Sequence, residues 1–192
     1  MFQINKISVV FAFSLLFLTS SCLPEQDLKT SKKFFDLKKV ISKQIDWLTK
    51  SNAKVRKNAQ IGGDRKEETL AVDWASELKV FVDSDINAPI FQDSYLVSQN
   101  ANSLIYKALQ KNLKVRELHI ISQENCTNFS DLEEKLSEIK IVYRDENSFY
   151  FTKRNLAMQF KQGKVETYQV IGFQKIMFKD TLDYQVASEV LK

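Results

Sequence analysis

The sequence predicts an α+β fold: a C-terminal antiparallel meander of about four long strands and an N-terminal hairpin, covered by two N-terminal amphipathic helices. Three observations predict it. Apolar residues recur at helical spacing over 30–49 and again over 73–82. The pair Gly62-Gly63 separates two short runs that read as hairpin arms. The C-terminal third consists of long stretches rich in β-branched and aromatic residues, with only short connections between them.

In chain order, Thr30 or Ser31 is placed to cap the first helix, which runs to about Thr49. Phe34, Leu37, Ile41, Ile45 and Leu48 form its apolar stripe, and Lys32, Lys39 and Lys43 lie off it, so this face is expected to pack on a sheet. Asp73 caps the second helix, with Trp74, Leu78, Phe81 and Val82 as its apolar face. Residues 84–100, which contain Pro89 and little periodicity, read as a long connection. Residues 104–115 give no clear assignment, and Leu113 to Ser122 reads as a strand. The meander follows as Ile139–Tyr143, Ser148–Lys161, Lys164–Phe178 and Leu182–Val190. Alternation is visible in Leu156, Met158 and Phe160, and in Leu182, Tyr184 and Val186.

The first twenty-two residues have a different character. Lys6 precedes an apolar run from Ile7 to Leu18, which is too short for the roughly twenty residues of a spanning helix. Small residues then lead to Cys22. The stretch Leu18-Thr19-Ser20-Ser21-Cys22 resembles a lipobox, the motif preceding the lipid-modified cysteine of bacterial lipoproteins, although Thr19 stands where Leu is usual. The resemblance implies a signal peptide over 1–21, lipid attachment at Cys22 and a lipidated tether over 22–29. A single globular domain then occupies 30–192. It also implies a membrane partner through the N-terminal acyl chains and an outer-membrane location, on the periplasmic face or the cell surface. With Cys22 acylated, Cys126 is the one remaining thiol, and no intramolecular disulfide forms. Further along, Asp73-Trp74, Glu77-Leu78, Phe81, Asp85-Ile86-Asn87, Pro89 and Asp93-Ser94-Tyr95 resemble a recurring stretch in small lipoproteins of Bacteroidota. That likeness implies kinship and no particular activity.

Candidate chemistry is sparse. The 28 Lys and Arg against 24 Asp and Glu make the chain mildly basic, without the concentrated cationic face of a nucleic-acid binder. Lys50, Lys54, Arg56, Lys57, Arg65 and Lys66 read as a soluble edge around the hairpin, with contact to anionic headgroups or lipopolysaccharide phosphates as the alternative. Asp83, Asp85 and Asn87 imitate the start of a calcium loop. Ala88 and Ser94, however, stand where that loop needs glycine and a bidentate carboxylate, so no metal site is expected. His119 is the one histidine and is expected on a strand face with Val115, Glu117 and Ile121. No nucleophile elbow, Walker motif or dinucleotide fingerprint is present. The expectation is therefore a lipid-anchored, non-enzymatic binding or interaction module of the cell envelope, without cofactor, whose partner is an envelope protein or a lipid. The alternative is a carrier or sensor of an acyl-chain ligand in a curved-sheet cavity, with Phe149, Phe151, Phe160 and Phe173 as candidate contacts.

Overall fold

The computed structural model describes residues 32–124, 132–133 and 135–192. The expected signal segment over 1–21, the expected tether over 22–29, the expected capping positions Thr30 and Ser31, and Cys126 lie outside the described residues. Helix α1 spans Leu37–Lys50, β1 Lys54–Ile61 and β2 Asp64–Leu70. Two four-residue helices follow, α2 (Trp74–Glu77) and α3 (Lys79–Val82). The remaining strands are β3 Tyr95–Asn100, β4 Ser103–Ala108, β5 Val115–Ser122, β6 Leu136–Glu146, β7 Tyr150–Lys161, β8 Lys164–Ile176 and β9 Leu182–Leu191.

The predicted α+β class, with about four strands under two amphipathic helices, is corrected. All nine strands form one antiparallel sheet in the order β2-β1-β9-β8-β7-β6-β5-β4-β3, and the fold is mainly β. From β3 to β9 the chain is an uninterrupted meander. The β1–β2 hairpin extends it, because β1 pairs with β9 from Lys54↔Leu191 to Ile61↔Tyr184. The helical layer is thinner than predicted. The helix capped by Asp73, whose carboxylate accepts from the Ala75 and Ser76 amides, breaks at Leu78 into α2 and α3. Helix α1 starts later than its apolar stripe suggests: Asp36 caps it by accepting from Lys39 N at 3.0 Å.

Directly paired residues share a sheet face, so the registers trace rows across the sheet. One row runs Tyr106–Leu118–Ile141–Leu156–Val170–Val186–Ala59, and another Leu104–Ile120–Ile139–Met158. Against these rows α1 buries Leu37, Val40, Ile41 and Leu48, each worth roughly 1.5–3 kcal/mol. Before the helix, Phe34 packs edge-on to Tyr106 with ring centroids 5.4 Å apart, and Phe35 N donates to Tyr106 Oη at 2.9 Å. Gln44 is buried and donates to Gly163 O while accepting from Val165 N, both at 3.0 Å, which ties α1 to the β7–β8 turn. Trp74 and Phe81 bring α2 and α3 onto the same core, with Trp74 Nε1 donating to Ala53 O. Residues 32–192 form one compact unit, and the core lies wholly inside it. That segment therefore carries its own fold. Among the described residues, no helix is long and apolar enough to cross a membrane.

Candidate functional site

The helices cover only part of their sheet face. The next row of paired residues is Val115–Tyr143–Arg154–Gly172–Tyr184–Ile61, and beyond it lies Asp145–Thr152–Gln174–Leu182. Here the cover ends, and a groove of about 420 Å³ remains open. Val170, Val186 and the Tyr184 ring line it from the sheet, with Ile61 at the end of β1 and Leu182 at the start of β9. Val80 of α3 forms the wall on the helix side. Ile61 is 48% exposed and Leu182 45%, although both sit on the face the core uses. The groove is a shallow, open depression, mostly apolar with few polar groups.

Gln174 also lines the groove, and its one charged lining residue is Arg154. It continues the inward alternation of Phe160, Met158 and Leu156 by one step, so its stem lies on the groove floor. Its guanidinium stands 5.4 Å from the Tyr143 ring centroid, a cation–π contact. Its Nε is buried without a hydrogen-bond partner, and no carboxylate pairs with it among the described residues. The nearest acid in the row pattern, Asp145, is committed elsewhere. It accepts from Lys114 Nζ and Tyr150 Oη, both at 2.8 Å, and from Tyr143 Oη at 3.4 Å. Partial burial pushes the Asp145 carboxyl up, but the Lys114 and Tyr150 hydrogen bonds outweigh it and hold the group below the usual carboxylate value. Gly172 separates Arg154 from Tyr184 in the row. A Cβ there would come within 2.4 Å of Lys153 O and 3.0 Å of Tyr184 Oη, so only glycine lets the tyrosine lie across this strand.

The outer face of the sheet is built differently. A hollow of about 360 Å³ lies over Ala157 and Ala187, and of its charged lining residues Arg56 is paired with Glu189, with Glu67 beside them. Near the other end, Arg144 lies over the Phe151 ring at 4.7 Å and pairs with Glu146 at 2.7 Å. On the helix-side face, by contrast, Lys57 pairs with Glu77 of α2 at 2.5 Å, and the buried Tyr168 donates its Oη–H to Glu77 at 2.8 Å. Burial first, then the Glu77 charge, pushes that phenol above the usual tyrosine value.

The four phenylalanines singled out by sequence are not brought together. Phe151 and Phe173 meet on the outer face, with centroids 5.4 Å apart. Phe160 is in the core, and Phe149 sits in the β6–β7 turn, 69% exposed. His119 does share the outer face with Glu117, which it contacts at 2.9 Å, and with Ile121. Val115 does not, because a bulge at Arg116 turns it inward. The imitation calcium loop is a helix exit. Asp85 accepts from the Lys38 and Asn87 amides, Asp83 pairs with Lys79, and Asn87 bridges to Phe34 N and Phe35 O. Among the described residues no group of three His, Cys, Asp or Glu is positioned for a metal. Of the basic run, Arg56, Lys57 and Lys66 are engaged in ion pairs along the hairpin.

Sequence reasoning missed Arg154 and Gly172. The signal for Arg154 was present, since period two from Leu156 points it inward. Gly172 gave none, because its neighbour across the strand pair, Tyr184, is far away in sequence. No known protein family matches the chain, and neither a curated protein nor a solved structure does.

Proposed function

We propose that this chain is a lipid-anchored envelope protein whose domain binds an anionic amphiphile, such as a fatty acid, without catalysis. The acyl chain lies along the Val80, Val170, Val186 and Leu182 surface, and the acid group meets Arg154. One observation carries this reading: an arginine with a buried, unpartnered Nε stands in a mainly apolar groove, alongside Gln174 and the Tyr184 phenol. Buried polar groups are ordinarily satisfied, and a guanidinium offers a planar fork of donors suited to a carboxylate or phosphate. Apolar lining supplies the remaining affinity at roughly 0.8 kcal/mol per buried CH₂. The membrane anchor rests on the lipobox-like residues before Cys22, and it would keep the groove close to a source of such ligands.

The test is native mass spectrometry of residues 32–192, followed by titration with palmitic acid and, separately, with hexadecanol. Palmitic acid is expected to bind, and Arg154→Met to weaken it roughly ten- to hundredfold, as the loss of a charged hydrogen bond implies. Hexadecanol binding is expected to change little. Equal affinity of wild type and Arg154→Met for palmitic acid would sink the assignment of the head-group site. No binding of either amphiphile would remove the carrier reading and leave a protein partner as the target of the domain.

A further inference from the structure

The end of the sheet beyond the groove carries an apolar tip that the fold does not use. Phe178, in the β8–β9 turn, is 99% exposed and sits at φ +61°. Left-handed backbone is sterically disfavoured for a side chain with a Cβ, and more so for a bulky aromatic one. Among the described residues, the other two non-glycine residues at positive φ are Asn52 and Gln162, both polar turn residues. Phe178 thus gains neither packing nor a comfortable backbone from its position. Beside it Met177 is 44% exposed, and in the neighbouring β6–β7 turn Phe149 is 69% exposed.

The two turns are tied into one projection. Met177 N donates to Phe149 O at 2.8 Å, and Lys179 N donates to Ile176 O at 3.0 Å. Asn147 Oδ1 accepts from Phe149 N at 2.8 Å and from Tyr150 N at 3.0 Å, which fixes the second turn. In the β8–β9 turn region stand Lys175 and Lys179, both exposed and without an ion-pair partner among the described residues. The acids nearest in sequence are Glu146, which is paired with Arg144, and Asp180.

We infer that this tip inserts into the interface of an anionic lipid bilayer. Two phenylalanines and a methionine suit the boundary between headgroups and acyl chains, and the lysines of the turn region suit anionic phosphates. A second copy of the chain is a poorer occupant, because pairing two such tips would bring like-charged lysines together. The inference stands apart from the groove: the tip would engage a membrane whether or not the groove holds a ligand.

The test is co-sedimentation of residues 32–192 with vesicles of phosphatidylcholine alone and of phosphatidylcholine mixed with phosphatidylglycerol. Binding is expected only to the mixed vesicles. Phe178→Gly relieves the backbone and removes the ring, so it is expected to keep the fold while weakening vesicle binding roughly tenfold or more. Lys175→Gln with Lys179→Gln is expected to abolish the preference for the anionic vesicles. Failure of the wild-type domain to bind mixed vesicles would overturn the inference, as would equal binding by Phe178→Gly. A dimer seen by light scattering without vesicles and lost in Phe178→Gly would also overturn it, by assigning the tip to a second copy.

Discussion

Arg154→Met separates what this arginine does for the fold from what it does for a ligand. In the unliganded domain, Nε is buried without a partner, a state that costs about 1–3 kcal/mol for a polar group. The contact with the Tyr143 ring at 5.4 Å returns about 0.5–1 kcal/mol. Methionine keeps an unbranched apolar stem of similar reach, so packing on Leu156 and Val170 is largely retained. The balance predicts that Arg154→Met stabilises the empty domain by about 1 kcal/mol, which raises Tm by about 2–4 °C at this size. Calorimetry and urea unfolding of residues 32–192, stripped of bound amphiphile, measure it. Wild type with saturating palmitic acid is expected to recover that difference, whereas the variant is not. A variant destabilised by 1 kcal/mol or more would refute the reasoning. Arg154 would then be a strut held by Tyr143, with no need of a ligand to explain it.

Three further outcomes follow from the structure. Gly172→Ala places a Cβ 2.4 Å from Lys153 O; backbone cannot yield cheaply there, so a loss of about 2–4 kcal/mol is expected in urea unfolding. For Asp145 and Glu133 burial pushes the carboxyl up, but the hydrogen bonds from Lys114 and Tyr150 to one, and from Lys43 and Lys39 to the other, win and leave both depressed. Because the folded values lie below the unfolded ones, their contribution is complete above the ordinary values of 3.8 and 4.5 and disappears as pH falls through the folded values. Tm is therefore expected to decline from about pH 5 towards about pH 2, with a shallower slope in Asp145→Asn. Expression of the whole chain with labelled palmitate is expected to label the protein, and Cys22→Ser to abolish the label. Labelling that survives Cys22→Ser would move the attachment site elsewhere.

The long strands were legible because their local signals agree. In β7, Leu156, Met158 and Phe160 alternate cleanly, and Gly163 follows Gln162 in a turn that requires positive φ at both. The Gly62–Gly63 turn was legible for the same reason. Strands β3 and β4 were not, because β3 is an edge strand with Leu96 and Val97 exposed, and β4 buries only Leu104 and Tyr106. An edge strand has one neighbour and need not alternate. The error of class came from pairing at a distance. Nothing local in Lys54–Ile61 announces that it closes on Tyr184–Leu191 and turns a meander with a separate hairpin into one sheet. The four phenylalanines do not gather in one place, for a related reason. Phe151 and Phe160 are nine positions apart on one strand, and odd spacing sends them to opposite faces.

Three departures from ordinary rules fall on one half of the helix-side face and its end. Arg154 leaves a buried donor unpaired, Gly172 removes a side chain so that Tyr184 can cross the strand, and Phe178 holds an exposed ring on unfavourable backbone. Under α1, Gln44 satisfies Val165 N and Gly163 O, and Tyr106 satisfies Phe35 N, while Ser188 Oγ beside Tyr168 is the one other buried side-chain atom without a partner among the described residues. Local rules are expected to fail where function or strain resides. A fold selected for stability alone would have no reason to gather all three at the open end, where Leu182 of the groove begins the strand that follows the Phe178 turn. If the groove accepts an amphiphile and the tip meets a bilayer, that placement has one cause. The ligand would enter from the membrane at Leu182 and reach Arg154 without crossing water.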